Sequence, residues 1–230
     1  MSTTALKVIS SMATREILAE LATQYVHAFS QTITTEAAGG VDVAKRVQAG
    51  EAVDIVVLAN KAINQLITAG KLLAGSRIDL VESGVAIAVR AGATKPDISS
   101  EDAVKKAVLN AKTLSYSTGP SGVYLEQLFE RWGILQDIKR KIVVPPPGIP
   151  VGSLVAKGDS ELGFQQLSEL MNLPGIEVLG PLPAAIQTIT IFSGGVSASS
   201  QNPEASRRVL EYMASPITAD IKRRYGMEAA

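Results

Sequence analysis

The sequence predicts an α/β protein of two lobes, each a mainly parallel sheet flanked by helices. Short β-rich runs alternate with amphipathic helices along the chain, the order that gives a parallel sheet with right-handed crossovers. Two runs, Leu80–Arg90 and Ile186–Phe192, are long and β-rich, the first broken by Ser83-Gly84 and the second followed by Ser193-Gly194-Gly195. Each is placed to carry the chain from one sheet to another. The 230 residues are 46% apolar, enough to build a core in each lobe. The expected division is 1–84 with 193–230 as the first lobe and 85–192 as the second, with crossovers near 83–88 and 186–193.

The elements follow from local pattern. Leu6–Ser10 reads as a strand, and Thr14–Ser30 as a helix with Ile17, Leu18, Leu21, Tyr25 and Phe29 on one face. Ile33–Ala37 is a second strand, closed by Gly39-Gly40. Asp42–Ala49 is helical, and Val53–Leu58 is almost wholly apolar, as a parallel strand buried on both faces should be. Ala62–Ala69 is again helical. In the second lobe come helix Glu101–Asn110, strand Thr113–Ser117, helix Gly122–Trp132 and strand Lys141–Val144. The Pro- and Gly-rich loop Pro145–Pro150 leads to helix Val151–Lys157 and strand Glu161–Gln165. Near the end, Asn202 is expected to cap a helix with Pro203 in its first position and Glu204 in its first turn. The C-terminal helices are expected to return to the first lobe.

Composition removes several functions. Lys and Arg total 22 against 22 Asp and Glu, and aromatics are 4%, which argues against nucleic-acid binding and base stacking. There is no cysteine, and His27 is the single histidine, in a helical stretch where a surface position is the ordinary role. Thiolate chemistry, Cys-based zinc sites and Ser-His-Asp machinery have no material to work with. No metal motif, Walker loop or GxGxxG turn occurs, so neither metal nor cofactor is expected. The N-terminus lacks the basic segment and apolar run of a signal peptide. No apolar run approaches the ~20 residues of a membrane span. The chain as given reads as cytoplasmic, or periplasmic if a leader has been removed.

What remains is a set of strand-to-helix junctions made of small residues: Ser10-Ser11, Gly39-Gly40, Ala59-Asn60 and Ser117–Gly122. A helix start offers unpaired N–H groups and roughly half a positive charge. Small residues let an anion approach that backbone closely. The same residues also serve plain capping, which any such turn requires. Thr118, Ser121 and Gly122 would form one anion cradle, and a Gly122→Asp change is expected to repel the anion. Arg15, in the first helical turn, can grip a carboxylate in bidentate fashion. Glu36, ending a strand near Gly39, is a candidate general base.

These stretches, taken in order, resemble the type II periplasmic binding proteins, in the branch that includes the molybdate-binding proteins of ABC importers. The likeness runs through LKVISSMATREILAELATQY, EAAGGVDVAKRVQAGEAVDIVVLAN, STGPSGVYLEQLFERWGI, VAKGDSELGFQQ and ASPITADIKRRYGME. It implies two lobes closing on a ligand in the cleft, held by backbone N–H groups and neutral hydroxyls. Three expected hydroxyl donors are missing: one becomes Ala13 or shifts to Ser11, one becomes Gly39-Gly40, and a tyrosine becomes Gln166. Backbone donors at Ala59, Ser121-Gly122 and Ile149 would remain. The losses favour an organic di- or tricarboxylate over molybdate, because a site tuned to hydrogen-bond one ligand rejects misfits. Arg15, Ser11, Thr118 and Gln166 would be its polar contacts.

Binding of such an anion is the first reading, with importer membrane subunits as partners if the chain is exported. The second is an enzyme. Aconitate isomerases resemble the same branch and move a double bond by proton transfer, for which Glu36 and Tyr124 are the candidate groups here. A free-standing sensory domain ranks third, since no output domain is visible.

Overall fold

The computed structural model describes residues 5–146 and 148–230; Met1–Thr4 and Pro147, within the Pro145–Pro150 loop, lie outside the described residues. In chain order the elements are β1 (Leu6–Ser11), α1 (Arg15–Phe29), β2 (Ile33–Ala38), α2 (Gly40–Gln48), β3 (Ile55–Ala59), α3 (Asn60–Thr68) and β4 (Ile78–Arg90). Then follow α4 (Glu101–Asn110), β5 (Leu114–Tyr116), α5 (Pro120–Arg131), α6 (Leu135–Ile138), α7 (Val151–Lys157), β6 (Leu162–Gln166) and α8 (Leu167–Leu170). The chain ends with β7 (Ile176–Pro181), β8 (Ile189–Val196), α9 (Pro203–Ala214), α10 (Ala219–Arg224) and β9 (Glu228–Ala229).

Two compact units form. One runs to Glu82 and resumes over Ile191–Ala230; the other is Ser83–Thr190. β4 and β8 carry the chain from one unit to the other.

In the first unit the sheet order is β2-β1-β3-β8. β1 pairs parallel with both β2 and β3, and β8 lies antiparallel to β3. Both faces are covered, which is why Ile55–Leu58 reads as an unbroken apolar run. Leu6, Val8, Ile55 and Val57 face Ile17, Leu21, Leu210, Met213 and Ile221 of the helices α1, α9 and α10. Ile9, Val56 and Leu58 face Val43, Val47, Ile63 and Leu66 of α2 and α3. Burying each such side chain contributes about 1.5–3 kcal/mol before the chain-ordering cost.

In the second unit β5 and β6 are parallel, while β4 pairs antiparallel with β6 and β7. Val85, Ile87, Phe164 and Tyr116 face α4 and α5 through Val104, Val108, Leu125 and Phe129. The small Ala86 and Ala88 on the opposite face meet Leu170 of α8.

Several expectations are corrected. Lys141–Val144 is no strand: Lys139–Lys141 is a 3-10 turn and only Ile142 bridges to Leu114. Pro145 and Pro146 follow at once and have no N–H with which to extend a ladder. β8 begins at Ile189, and it continues through Ser193-Gly194-Gly195 instead of stopping there. Close packing keeps both positions small: a Cβ on Gly194 would fall 2.2 Å from Leu210 Cδ2 of α9, and one on Gly195 would fall 2.8 Å from Leu72 Cδ1. Phe29 is 58% exposed, tilted against Tyr25 and edge-on to Tyr212 at ring distances of 4.6 and 5.7 Å, and not set in the core. Asn202 sits at the cap of α9, but its side chain makes no capping bond; its carbonyl accepts from Ser206 Oγ at 3.0 Å. Among the described residues no helix is long and apolar enough to cross a membrane.

Candidate anion-binding site

In the first unit, register brings three strand ends side by side: Ser11 lies opposite Ala38, and Ser10 opposite Val57. A helical turn starts directly after each, at Met12, Gly40 and Asn60. The residues before these starts, Ser11, Gly39 and Ala59, are all extended (ψ 157°, 133° and 140°), and none uses a side chain to cap its helix. First-turn N–H groups have no partner within the helix, so this end of the sheet gathers donors and positive helix ends.

The hydroxyls around it differ in kind. Ser10 Oγ and Thr14 Oγ1 both donate to the Ser11 carbonyl, each at 3.2 Å. Ser11 Oγ is buried and has no hydrogen-bond partner among the described residues. A Cβ placed on Gly40 would lie 3.6 Å from Ser11 Cβ, so the orphan hydroxyl and the start of α2 are neighbours. Asp42 turns back over Gly39, where its Oδ2 lies 3.1 Å from the position a Cβ would take. Ala13 is half-buried against the core.

Arg15 does not reach into this group: it is 55% exposed and paired with the adjacent Glu16 at 2.7 Å. Glu36 is also committed elsewhere. It lies on the surface with Arg46 at 2.7 Å, and that hydrogen bond holds its carboxyl below the usual carboxylate range. Arg46 in turn grips Glu51 through two bonds of 2.6 and 2.7 Å, and Lys7 adds a third at 3.2 Å. Glu51 is thereby lowered to about 2, chiefly by Arg46. A depressed folded pKa contributes stability above the ordinary value of 4.5, and this is lost as pH falls from there towards about 2. Glu51→Gln is therefore expected to lower the melting temperature by a few degrees near neutrality. Thermal unfolding followed against pH should show the deficit vanish at the acid end.

In the second unit Gly119 is extended (φ −84°, ψ −166°) and Pro120 opens α5 at the position where a missing N–H costs nothing. Ser117 Oγ and Ser121 Oγ share a hydrogen bond of 2.9 Å that closes the turn. Thr118 is exposed at its tip. Gly122 is required for packing: a Cβ there would sit 1.6 Å from the Ser117 carbonyl oxygen. A Gly122→Asp variant would displace backbone, so its loss of binding would say nothing about charge.

The loop before α7 offers fewer donors than expected. The Ile149 N–H is spent on the Pro146 carbonyl at 3.0 Å. The Val151 N–H is spent on Gln165 Oε1 at 2.9 Å, and Gln165 Nε2 donates to Glu169 at 2.7 Å. Tyr124 donates to the Ile186 carbonyl at 2.8 Å, and burial pushes its hydroxyl above the ordinary range. Gln166 is only 3% exposed; its Nε2 donates to Thr190 Oγ1 at 2.8 Å, and its Oε1 has no partner among the described residues. Gln165, Ser83 and Ser168 escaped the sequence reading. The doublet Gln165-Gln166 closing an otherwise apolar strand was the signal available. His27 is exposed in the last turn of α1. Among the described residues no group of His, Cys, Asp and Glu could hold a metal ion.

Parallel strand ends, small-residue helix starts and neutral donors define a solute-binding protein. The chain belongs to the bacterial extracellular solute-binding protein family, whose sequence profile matches residues 6–228. It is 38% identical over 222 residues to an aconitate isomerase from a Pseudomonas species, covering 94% of this chain and 84% of the isomerase. The periplasmic molybdate-binding protein of Azotobacter vinelandii superposes with a TM-score of 0.80 at 20% identity, covering 96% of this chain and 98% of that one. A sulfate-binding protein from Mycobacterium tuberculosis does so with 0.78 at 12% identity, over 97% and 86%. The mixed α/β periplasmic-binding-protein-like fold is thus the one the resemblance implied, and two of its neighbours bind oxyanions.

Proposed function

We propose that the chain binds aconitate or a closely related tricarboxylate and isomerises it by proton transfer. The observation that carries this reading is the 38% identity, spread over 94% of the chain, to an aconitate isomerase. It reverses the order of preference that the residues alone suggested. The site chemistry supports it: carboxylates suit the helix starts after Ser11, Gly39 and Ala59, which offer N–H groups without a counter-charge. A double-bond shift needs no oxidant and no co-reactant. A proton leaves the methylene carbon next to a carboxylate, the electron pair spreads over the allylic system into that carboxylate, and a proton returns at the other end. Backbone donors aimed at those oxygens stabilise the charge as it develops. Glu36, paired with Arg46, and Tyr124, bonded to the Ile186 carbonyl, would each have to leave a partner to move the proton.

Binding without turnover is the second reading. It is favoured by one observation: the residues forming the strand ends carry hydroxyls and an amide, but no carboxylate or imidazole. Importer membrane subunits would then be partners if the chain is exported.

Proton NMR of the protein with cis- and trans-aconitate in D₂O separates the two. Interconversion, or deuterium entering the methylene position, is the expected result. Thermal stabilisation by aconitate with no chemical change would leave a binding protein. Stabilisation by molybdate alone would overturn both.

A further inference from the structure

We propose that Gln166 and Ser83 form a subsite for an O–H group of the ligand, either a hydroxyl or a carboxyl held in its protonated form. The inference rests on the organic-acid reading above and specifies one end of that acid.

Three buried polar atoms of the second unit have no hydrogen-bond partner among the described residues: Ser83 Oγ, Gln166 Oε1 and Ser168 Oγ. An unmade bond at a buried polar atom costs about 1–3 kcal/mol, so three such atoms near one strand end are not explained by stability. Register places two of them together. Val85 pairs directly with Gln166 across β4 and β6, so the two side chains leave the same face of the sheet. Ser83, two residues before Val85 on the same strand, points to that face as well. Phe164, two residues before Gln166, also shares it and touches Phe129 of α5 at a ring distance of 6.3 Å. The subsite therefore lies on the face that α5 covers.

The polarity of the amide decides what it can hold. Its Nε2 is spent on Thr190 Oγ1, and Oε1 can only accept. An ionised carboxylate would meet that oxygen lone pair to lone pair, whereas an O–H satisfies it. Ser83 Oγ can accept or donate, so it completes a contact with the oxygen that bears the proton.

The test is calorimetric titration with citrate and with tricarballylate, the same tricarboxylate skeleton without the hydroxyl, at about pH 5 and about pH 8. A hydroxyl subsite makes citrate bind about ten- to a hundredfold tighter at both pH values, since a site built for an O–H rejects the analogue lacking it. A protonated-carboxyl subsite makes both acids bind more tightly at the lower pH, with one proton taken up per ligand. In either case Gln166→Leu removes the discrimination or the proton uptake. Ser83→Ala reduces it about threefold or more, and that smaller change guards against a folding defect in the first variant. Binding of both acids with equal affinity and no proton uptake overturns the subsite while leaving the carboxylate reading intact. Failure of both acids to bind overturns both.

Discussion

Ser11→Ala should weaken aconitate binding by about ten- to a hundredfold while leaving the protein as stable as before, or slightly more so. The two halves of this expectation come from one atom. Ser11 Oγ is buried beside the start of α2 and donates to nothing among the described residues. Folding therefore bears the cost of drying a hydroxyl, about 1–3 kcal/mol, with no bond in return. A carboxylate arriving there would accept a charge-assisted hydrogen bond worth about 1.5–3 kcal/mol, which is the predicted loss in affinity. Replacing the hydroxyl by hydrogen removes both terms. Calorimetry gives the first and thermal unfolding without ligand gives the second. A fall of several degrees in melting temperature with affinity unchanged would make Ser11 a structural residue and break the assignment of this strand end.

Where the sequence reading worked, the information was local. Helices over Glu101–Asn110 and Val151–Lys157 appear with the expected bounds, because their apolar spacing and flanking residues lie within a few positions of each other. The junctions at Ser10-Ser11, Gly39-Gly40 and Ala59-Asn60 were legible for the same reason. It failed where the deciding partner is distant or the same residue type has two uses. That the Val151 N–H is taken by Gln165, fourteen positions on, cannot be read from a proline-rich loop. Gly122 looks like a residue left small for an anion, but it is small for the Ser117 carbonyl. Gly194 looks like a strand end, but it is the place where Leu210 comes down on the strand. Glu36 and Arg15 were singled out for reactive charge. Glu36 faces Arg46 across the surface, whereas Arg15 is matched by its own chain neighbour Glu16.

The same distinction between folding and use bears on Lys222, which the sequence placed without comment in a basic helix end. Its relative exposure is 0%, its Nζ has no hydrogen-bond partner among the described residues, and burial lowers its pKa. Arg223 and Arg224, the next two residues of α10, reach Asp220 and Glu20, so the neighbouring cations are paired, whereas Lys222 Nζ has no hydrogen-bond partner among the described residues. An ammonium without a partner is a net cost to the first unit. Lys222→Met, which keeps the length and flexibility of the stem, is expected to raise stability near neutral pH by about 1–4 kcal/mol, the gain seen when buried ion pairs give way to apolar packing. The sign of the pH dependence follows from the direction of the shift. Between the lowered folded value and the ordinary 10.5, the unfolded chain binds the proton more readily, so wild-type stability should rise with pH across that window. The methionine variant should be flat there, and its advantage should shrink as pH approaches 10.5. Denaturant titrations of both proteins at neutral and alkaline pH measure the difference directly. An equal loss of stability in the variant at every pH would mean that the amine is held by the fold, and that the contact, rather than the cost, is what Lys222 contributes.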